Sequence, residues 1–220
     1  MPSSTVEDYL KRLYTEQQQA PGELVPMGRL ADAMAVVPGT VTTMIKALAD
    51  SGLVDYEPRA GVRLTAGGER LALHVLRRHR LVELFLVRTL GLDWSEVHEE
   101  AEELEHAISE KVLERIDALL GYPTVDPHGS PIPRANGEIA PEETRTLADS
   151  TANRSYRIAR VADSESQFLQ YAERHGLVPG ARIHVEQTDA GAEAVTVRIE
   201  GRGRCTLGLS AARRIFLAPE

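Results

Sequence analysis

Residues 39–68 read GTVTTMIKALADSGLVDYEPRAGVRLTAGG. Val41, Ile45 and Leu48 recur at helical spacing, which predicts an amphipathic helix over 41–52. Gly52 suits the position just past a helix end. LVDYEPRAGVRL then alternates as strand, turn, strand around Arg59-Ala60-Gly61. Upstream, VPGT at 37–40 is a turn, and MGRLADAMAV at 27–36 reads as a short helix. A first helix is expected over 5–19, with Thr5 as N-cap and Val6, Leu10, Leu13 and Tyr14 on its apolar side. Helix, short helix, turn, helix and hairpin is the order of a winged helix-turn-helix. Thr40, Thr42, Thr43 and Lys46 lie on the outward side of the third helix. Short hydroxyl side chains there can reach bases or phosphates. Arg59 and Arg63 on the wing suit phosphate contact. A small α+β core without a DNA role is the bland alternative.

Downstream, 69–90 is expected to form a longer helix and 93–120 a second. The second is acidic: Asp93, Glu96, Glu99, Glu100, Glu102, Glu103, Glu105 and Glu110 occur with no Lys or Arg among them. Its apolar stripe is Val97, Ala101, Leu104, Ile108, Val112 and Ile116, leaving Leu113, Leu119 and Leu120 for a partner chain. Within HEEAEELEH, 98–106, Glu102, Glu105 and His106 fall at i, i+3 and i+4 and share a face. His98 is one turn earlier, and His79 and Glu83 form an i, i+4 pair on the preceding helix. Glu99, Glu100 and Glu103 point elsewhere and read as solvated. Carboxylates and imidazoles on one stripe call for a cation. A zinc protease needs H-E-x-x-H, but the fifth residue here is Glu102. A ferritin-like centre needs two E-x-x-H motifs on different helices, and only Glu103–His106 supplies one. A regulatory metal site remains, with Asp8, His79, Glu83, His98, Glu102, Glu105 and His106 as available ligands.

From Ser155 onward the chain turns to short strands: YRIARV, ARIHVEQT, AVTVRIEG, TLGL and RRIFL. One helix, SQFLQYAERHG, interrupts them. This pattern suggests a small barrel. The 220 residues are 42% hydrophobic and 26% charged, with a net charge of −8, a soluble, globular composition. The acidity argues against a polyanion binder along the whole chain, but not against one basic surface. A single cysteine, Cys205, excludes a disulfide framework and a cysteine-rich zinc site. No apolar run is long enough to span a membrane. A cytoplasmic protein is expected.

Taken together, VEDYLKRLY, GTVTTMIKALADSGLV, RLTAGG, RRHRLVELFL, VHEEAEELEH and DPHGSPIP resemble the diphtheria toxin repressor family of iron- and manganese-dependent regulators. GLVPGARIHV resembles the Src-homology-3-like barrel that these repressors often append. The resemblance implies an α+β chain. A winged helix-turn-helix domain (1–72) precedes a helical metal-binding and dimerisation domain (73–140), a linker (141–154) and the barrel (155–220). It implies an activating site at Asp8, Glu102, Glu105 and His106. A neighbouring site uses His79, Glu83 and His98, with Glu165 and Gln167 as the barrel's candidates. Iron-type members carry sulfur at positions 8 and 102. Oxygen there points to Mn²⁺, with Fe²⁺ and other divalent transition metals able to substitute. Lys11 stands where binuclear manganese members have Glu, so two separated sites are expected. The implied function is a metal-dependent regulator, a repressor and not an enzyme, acting on metal-homeostasis genes. Its expected partners are a second copy of itself and palindromic double-stranded operator DNA, with no membrane. The rivals are a winged-helix sensor of an organic ligand, a carboxylate-bridged metal enzyme, and a metal-storage or chaperone role.

Overall fold

The computed structural model describes residues 3–140, 145–162 and 165–219, and of Pro219 only the backbone. The first four residues of the expected linker, 141–144, lie outside the described residues. The chain divides into two compact units: Met1–His79 with Pro133–Glu138, and Arg80–Ile132 with Ile139–Glu220.

In the first unit, α1 (Ser4–Gln19) begins one residue earlier than expected. Ser3, not Thr5, is the N-cap, accepting from the Val6 N–H at 3.4 Å. Its buried face carries Tyr9, Leu10, Leu13 and Tyr14. Glu7 on the same helix pairs with Arg78 at 3.3 Å, with both side chains nearly inaccessible. The second helix, α2 (Met27–Ala33), stops short of residue 36 because Ala35 takes a left-handed φ of 53°. The third, α3 (Pro38–Asp50), starts three residues before the expected 41. Pro38 lies in its first turn, where a missing N–H costs nothing. Val41, Ile45 and Leu48 are buried, as their spacing requires. Gly52 has φ 72°, and its N–H closes onto the Ala49 carbonyl at 2.9 Å. The wing is the antiparallel pair β1 (Val54–Glu57) and β2 (Gly61–Leu64), registered Val54 to Leu64 and Glu57 to Gly61. Val25 adds two backbone hydrogen bonds to Val62, at 2.9 and 3.0 Å.

The long helix α4 (Ala66–Phe85) contributes to both units and ends in a π-helical turn, Leu86–Leu90, closed by Gly91. The expected single helix over 93–120 is two helices, α5 (Val97–Glu105) and α6 (Glu110–Leu119). The chain breaks at 106–109, where Ser109 adopts extended backbone and restarts the helix. The break rotates the second half of the expected apolar stripe. Leu113 and Ile116 pack with Leu81, Leu84 and Ile132, whereas Val97 and Ala101 pack with Val82 and Leu86. Leu113 is therefore core and not surface, while Val112 is 49% and Leu119 66% exposed.

The C-terminal part is one antiparallel sheet in the order β3-β8-β4-β5-β6-β7. Its strands are β3 (Arg145–Thr146), β4 (Arg154–Val161), β5 (Arg182–Asp189), β6 (Ala194–Ile199), β7 (Gly203–Gly208) and β8 (Ile215–Pro219). Among the described residues the sheet does not close into a ring. Helix α7 (Ser166–His175) packs Phe168, Leu169 and Ala172 onto it, and the short α8 (Leu209–Ala212) leads into β8. Ile158, Val185, Val195, Val197 and Leu207 form the core with them, Val195 and Val197 alternating on β6, and Val161 joins them beyond the bulge between Ile158 and Arg160. Cys205 joins this core.

Candidate metal centre

Glu105 and His106 lie at the C-terminal end of α5, with His106 Nε2 3.4 Å from Glu105 Oε1. Glu105 is wholly buried and His106 is partly accessible. A buried carboxylate is stable when it is hydrogen-bonded or paired with positive charge. Glu102, one turn earlier, accompanies them on α5, half-exposed. Asp8 belongs to the first unit, on α1, and is half-buried. Glu99, Glu100 and Glu103 are exposed, as expected for solvated acids.

The other expected group is also partly assembled. His79 and Glu83 sit one turn apart on α4 and are both buried. Glu83 Oε1 meets His98 Nδ1 at 3.2 Å, and His98 Nε2 stands 3.5 Å from Glu102 Oε1. His98 therefore links Glu83 of α4 to Glu102 of α5. Of the C-terminal candidates, Glu165 is doubly hydrogen-bonded to Arg214, with both contacts at 2.7 Å. The Arg214 hydrogen bonds hold the Glu165 carboxyl below its usual range. Each of its oxygens therefore already accepts one bond from that arginine. Gln167 is exposed in the first turn of α7.

Sequence reasoning found no role for two residues that the fold brings to Glu83. The ligand atoms of Glu83, Asp126 and His128 lie within 4.8 Å of one another, and all three residues are buried. The segment DPHGSPIP bends into an Asx turn. Asp126 Oδ1 accepts from the backbone N–H groups of His128 (2.8 Å) and Ser130 (2.9 Å). Asp126 Oδ2 faces Arg80 Nε at 3.5 Å. The turn drives His128 inward onto Trp94, with ring centroids 5.4 Å apart. His128 Nε2 lies 2.7 Å from the Trp94 carbonyl. A carbonyl only accepts, so a ring proton sits on Nε2; in the neutral tautomer Nδ1 then carries a lone pair. That buried Nδ1 has no hydrogen-bond partner and stands 3.9 Å from Glu83 Oε2. Either a proton on Nδ1 or a metal cation between the two would satisfy both groups. The Nε2–H to carbonyl bond is the usual outer support of a metal-ligating histidine. The donor set of oxygens and imidazole, with no sulfur, fits a hard or borderline divalent ion. The signal in the sequence was a histidine enclosed by turn residues, which has no periodicity to reveal it.

The candidate DNA-contacting residues are displayed on the first unit. Thr40, Thr43 and Lys46 are exposed on α3 and Thr42 is half-exposed. Thr42 and Thr43 donate their hydroxyl protons to the Pro38 and Gly39 carbonyls, at 2.9 and 3.0 Å. With those bonds in place they offer outward lone pairs and methyl groups, suited to base edges more than to phosphate oxygens. Arg59 is exposed at the wing tip with a left-handed φ of 68°. Arg63 is exposed too, 3.2 Å from Asp55.

A winged helix followed by helices bearing clustered carboxylates and imidazoles defines a metal-dependent DNA-binding regulator. Residues 1–62 match the iron dependent repressor N-terminal DNA binding domain. Residues 65–134 match the iron dependent repressor metal binding and dimerisation domain, and residues 145–219 match the FeoA domain. The iron-dependent repressor IdeR of Mycobacterium tuberculosis is 31% identical over 216 residues, 92% of each chain. A manganese-dependent transcriptional repressor in complex with manganese superposes with a TM-score of 0.92 at 38% identity, covering 98% of this chain and 100% of that one. The manganese regulator SloR gives a TM-score of 0.80 at 36% identity over 98% of both. The chain belongs to the iron-dependent repressor family of metal-dependent transcriptional repressors. Among the described residues no helix is long and apolar enough to cross a membrane.

Proposed function

We propose that this chain is a manganese-responsive repressor that binds a palindromic operator as a homodimer and controls metal-homeostasis genes in the cytoplasm, without catalytic turnover. The observation that carries it is the all-oxygen-and-nitrogen donor set on α5, with Glu102 at a position where the resemblance to iron-type family members implies sulfur. We divide the chain functionally as 1–72 for DNA, 73–140 for metal and dimerisation, and 155–220 as the sheet domain; of the linker expected over 141–154, Arg145–Thr146 pairs with β8 and Leu147 packs into the sheet's core, so that part goes with the sheet domain. Exposed Val112 and Leu119 on α6 supply apolar surface for the second copy.

In this reading Asp8, Glu102, Glu105 and His106 form the switch. Unmetallated, their carboxylates repel one another. A bound divalent cation supplies the positive charge that lets them converge. The proposed set draws ligands from both α1 and α5, so a bound ion favours whichever state offers all four, by its differential affinity. Convergence positions the winged helices of the dimer for successive major grooves, about 34 Å apart. Thr40, Thr42, Thr43 and Lys46 then face the groove, and Arg59 and Arg63 face phosphates. His79, Glu83 and His98 form a second locus, which Asp126 and His128 extend. Fe²⁺ and other divalent transition ions fit the same donors less selectively.

The test is DNA binding titrated with Mn²⁺, Fe²⁺, Zn²⁺ and chelator at one salt concentration, on the wild type and on Glu102→Cys. Wild-type binding should require metal, and the cysteine should move the ranking toward the softer ions. Tight binding indifferent to chelator, or an unaltered ranking, refutes the reading.

A further inference from the structure

The C-terminal sheet presents a face of a different electrical character from the rest of the chain. Residues 154–220 hold ten arginines, no lysine and eight acids, in a chain whose net charge is −8. The pairing register aligns the arginines. Arg157 of β4 lies directly opposite Arg182 of β5, and Arg198 of β6 directly opposite Arg204 of β7. His184 of β5 sits opposite Ser155 on one side and Arg198 on the other. Side chains two apart on a strand, or directly opposite across a pair, share one face. Arg157, Arg182, His184, Arg198 and Arg204 therefore form one stripe across four strands. All four arginines are exposed.

Like charges directly opposite each other across a sheet are destabilising, and this face carries two such pairs. One is compensated internally: Glu186, at a bulge of β5, accepts from Arg204 Nε at 2.6 Å and from Arg198. These arginines hold the Glu186 carboxyl below its usual range. For the other pair no described carboxylate plays that part. A repulsive pair kept on an outer sheet face serves an anionic partner better than it serves the fold. Strands about 4.8 Å apart set the stripe's width at about 14 Å. Over that length duplex DNA presents about eight phosphate charges.

We infer that this face is a second, sequence-independent contact for the phosphate backbone of duplex DNA. The inference rests on the DNA-binding reading and extends it. The winged helix reads bases, and the arginine stripe adds affinity without sequence information, as phosphate contacts do. Charge complementarity identifies the occupant, and the extent of the stripe favours a polyanion over a single small anion.

The experiment measures binding of the full-length, Mn²⁺-loaded protein to a mixed-sequence duplex of about 60 base pairs, from roughly 50 to 200 mM salt. Arg157→Gln combined with Arg182→Gln should weaken binding on the order of tenfold at the low-salt end. It should also reduce the slope of log affinity against log salt by about 1.8, two phosphate contacts' worth. The dependence on Mn²⁺ should persist. Thermal midpoints equal to or above wild type would show the variant folded, since a repulsive pair has been removed. If that variant misfolds, Arg182→Glu gives Arg157 an opposite charge across the strands, retains the fold and should lower the slope at least as far. Wild-type affinity and slope in a folded variant overturn the inference, as does loss of inorganic phosphate binding with duplex binding intact. A wild type that fails to bind duplex at all would instead sink the DNA-binding reading itself.

Discussion

Single side chains in this molecule are best judged by what already holds them. Glu165 illustrates the point, because Arg214 grips both of its oxygens. Its carboxyl should titrate below the ordinary glutamate value of 4.5 in a carbon-13 carboxyl titration. A depressed acid contributes stability above its unfolded value, and the contribution is lost as pH falls through the folded midpoint. The Glu165–Arg214 pair should therefore be intact at neutral pH and break only on the acid side of 4.5. An ordinary midpoint, or one unaltered by Arg214→Gln, would show that the pair does not form. His128 makes the opposite case. One ring nitrogen is committed to the Trp94 carbonyl and the other is buried toward Glu83. The same residue type reads as inert or functional in sequence, and only the partner distinguishes them.

Elements show where sequence was sufficient and where it was not. The winged helix was legible because its cues are local: apolar spacing on α3, Gly52 beyond its end, and turn residues between two alternating strands. The acidic helix was not fully legible. Its apolar positions keep helical spacing straight through 106–109, with no glycine or proline there to signal a stop. The restart at Ser109 is set by where Leu113 and Ile116 must pack. Of the candidate site, Glu102, Glu105 and His106 could be singled out in sequence because helical spacing puts them on one face. Asp126 and His128 could not, since their convergence depends on an Asx turn and a packed loop. That loop is tightly constrained. The Val161 N–H donates to the His128 carbonyl at 2.9 Å. Gly129 has φ 90°, and a Cβ there would lie 2.1 Å from the Ala159 carbonyl oxygen. Gly129→Ala should therefore push the loop off β4. The expected loss is about 2 kcal/mol or more, a drop of about 4–8 °C in thermal midpoint for a chain of this size. A midpoint within a degree of wild type would show that the close approach is not needed.

At the scale of the whole molecule, the ligands come from separate stretches of chain. Within the second unit, the candidate ligands Glu83 of α4, Glu102 and Glu105 of α5 and the 126–128 turn lie far apart in sequence and are brought near one another only by folding. An ion held by such a set binds the native state and not the unfolded chain. Mn²⁺ at a hundred times its dissociation constant should add about 2.7 kcal/mol to stability. That is a rise of about 5–10 °C in midpoint, reversed by chelator. Identical melting curves with and without Mn²⁺ would mean that the ligands do not converge on an ion. One feature makes this convergence observable without a label. The chain has a single tryptophan, Trp94, and its ring stacks on His128. Its emission therefore reports from one known place. A paramagnetic ion arriving beside His128 would dim that emission, whereas one bound elsewhere would leave it bright. The protein thus carries its own optical gauge of which locus fills first.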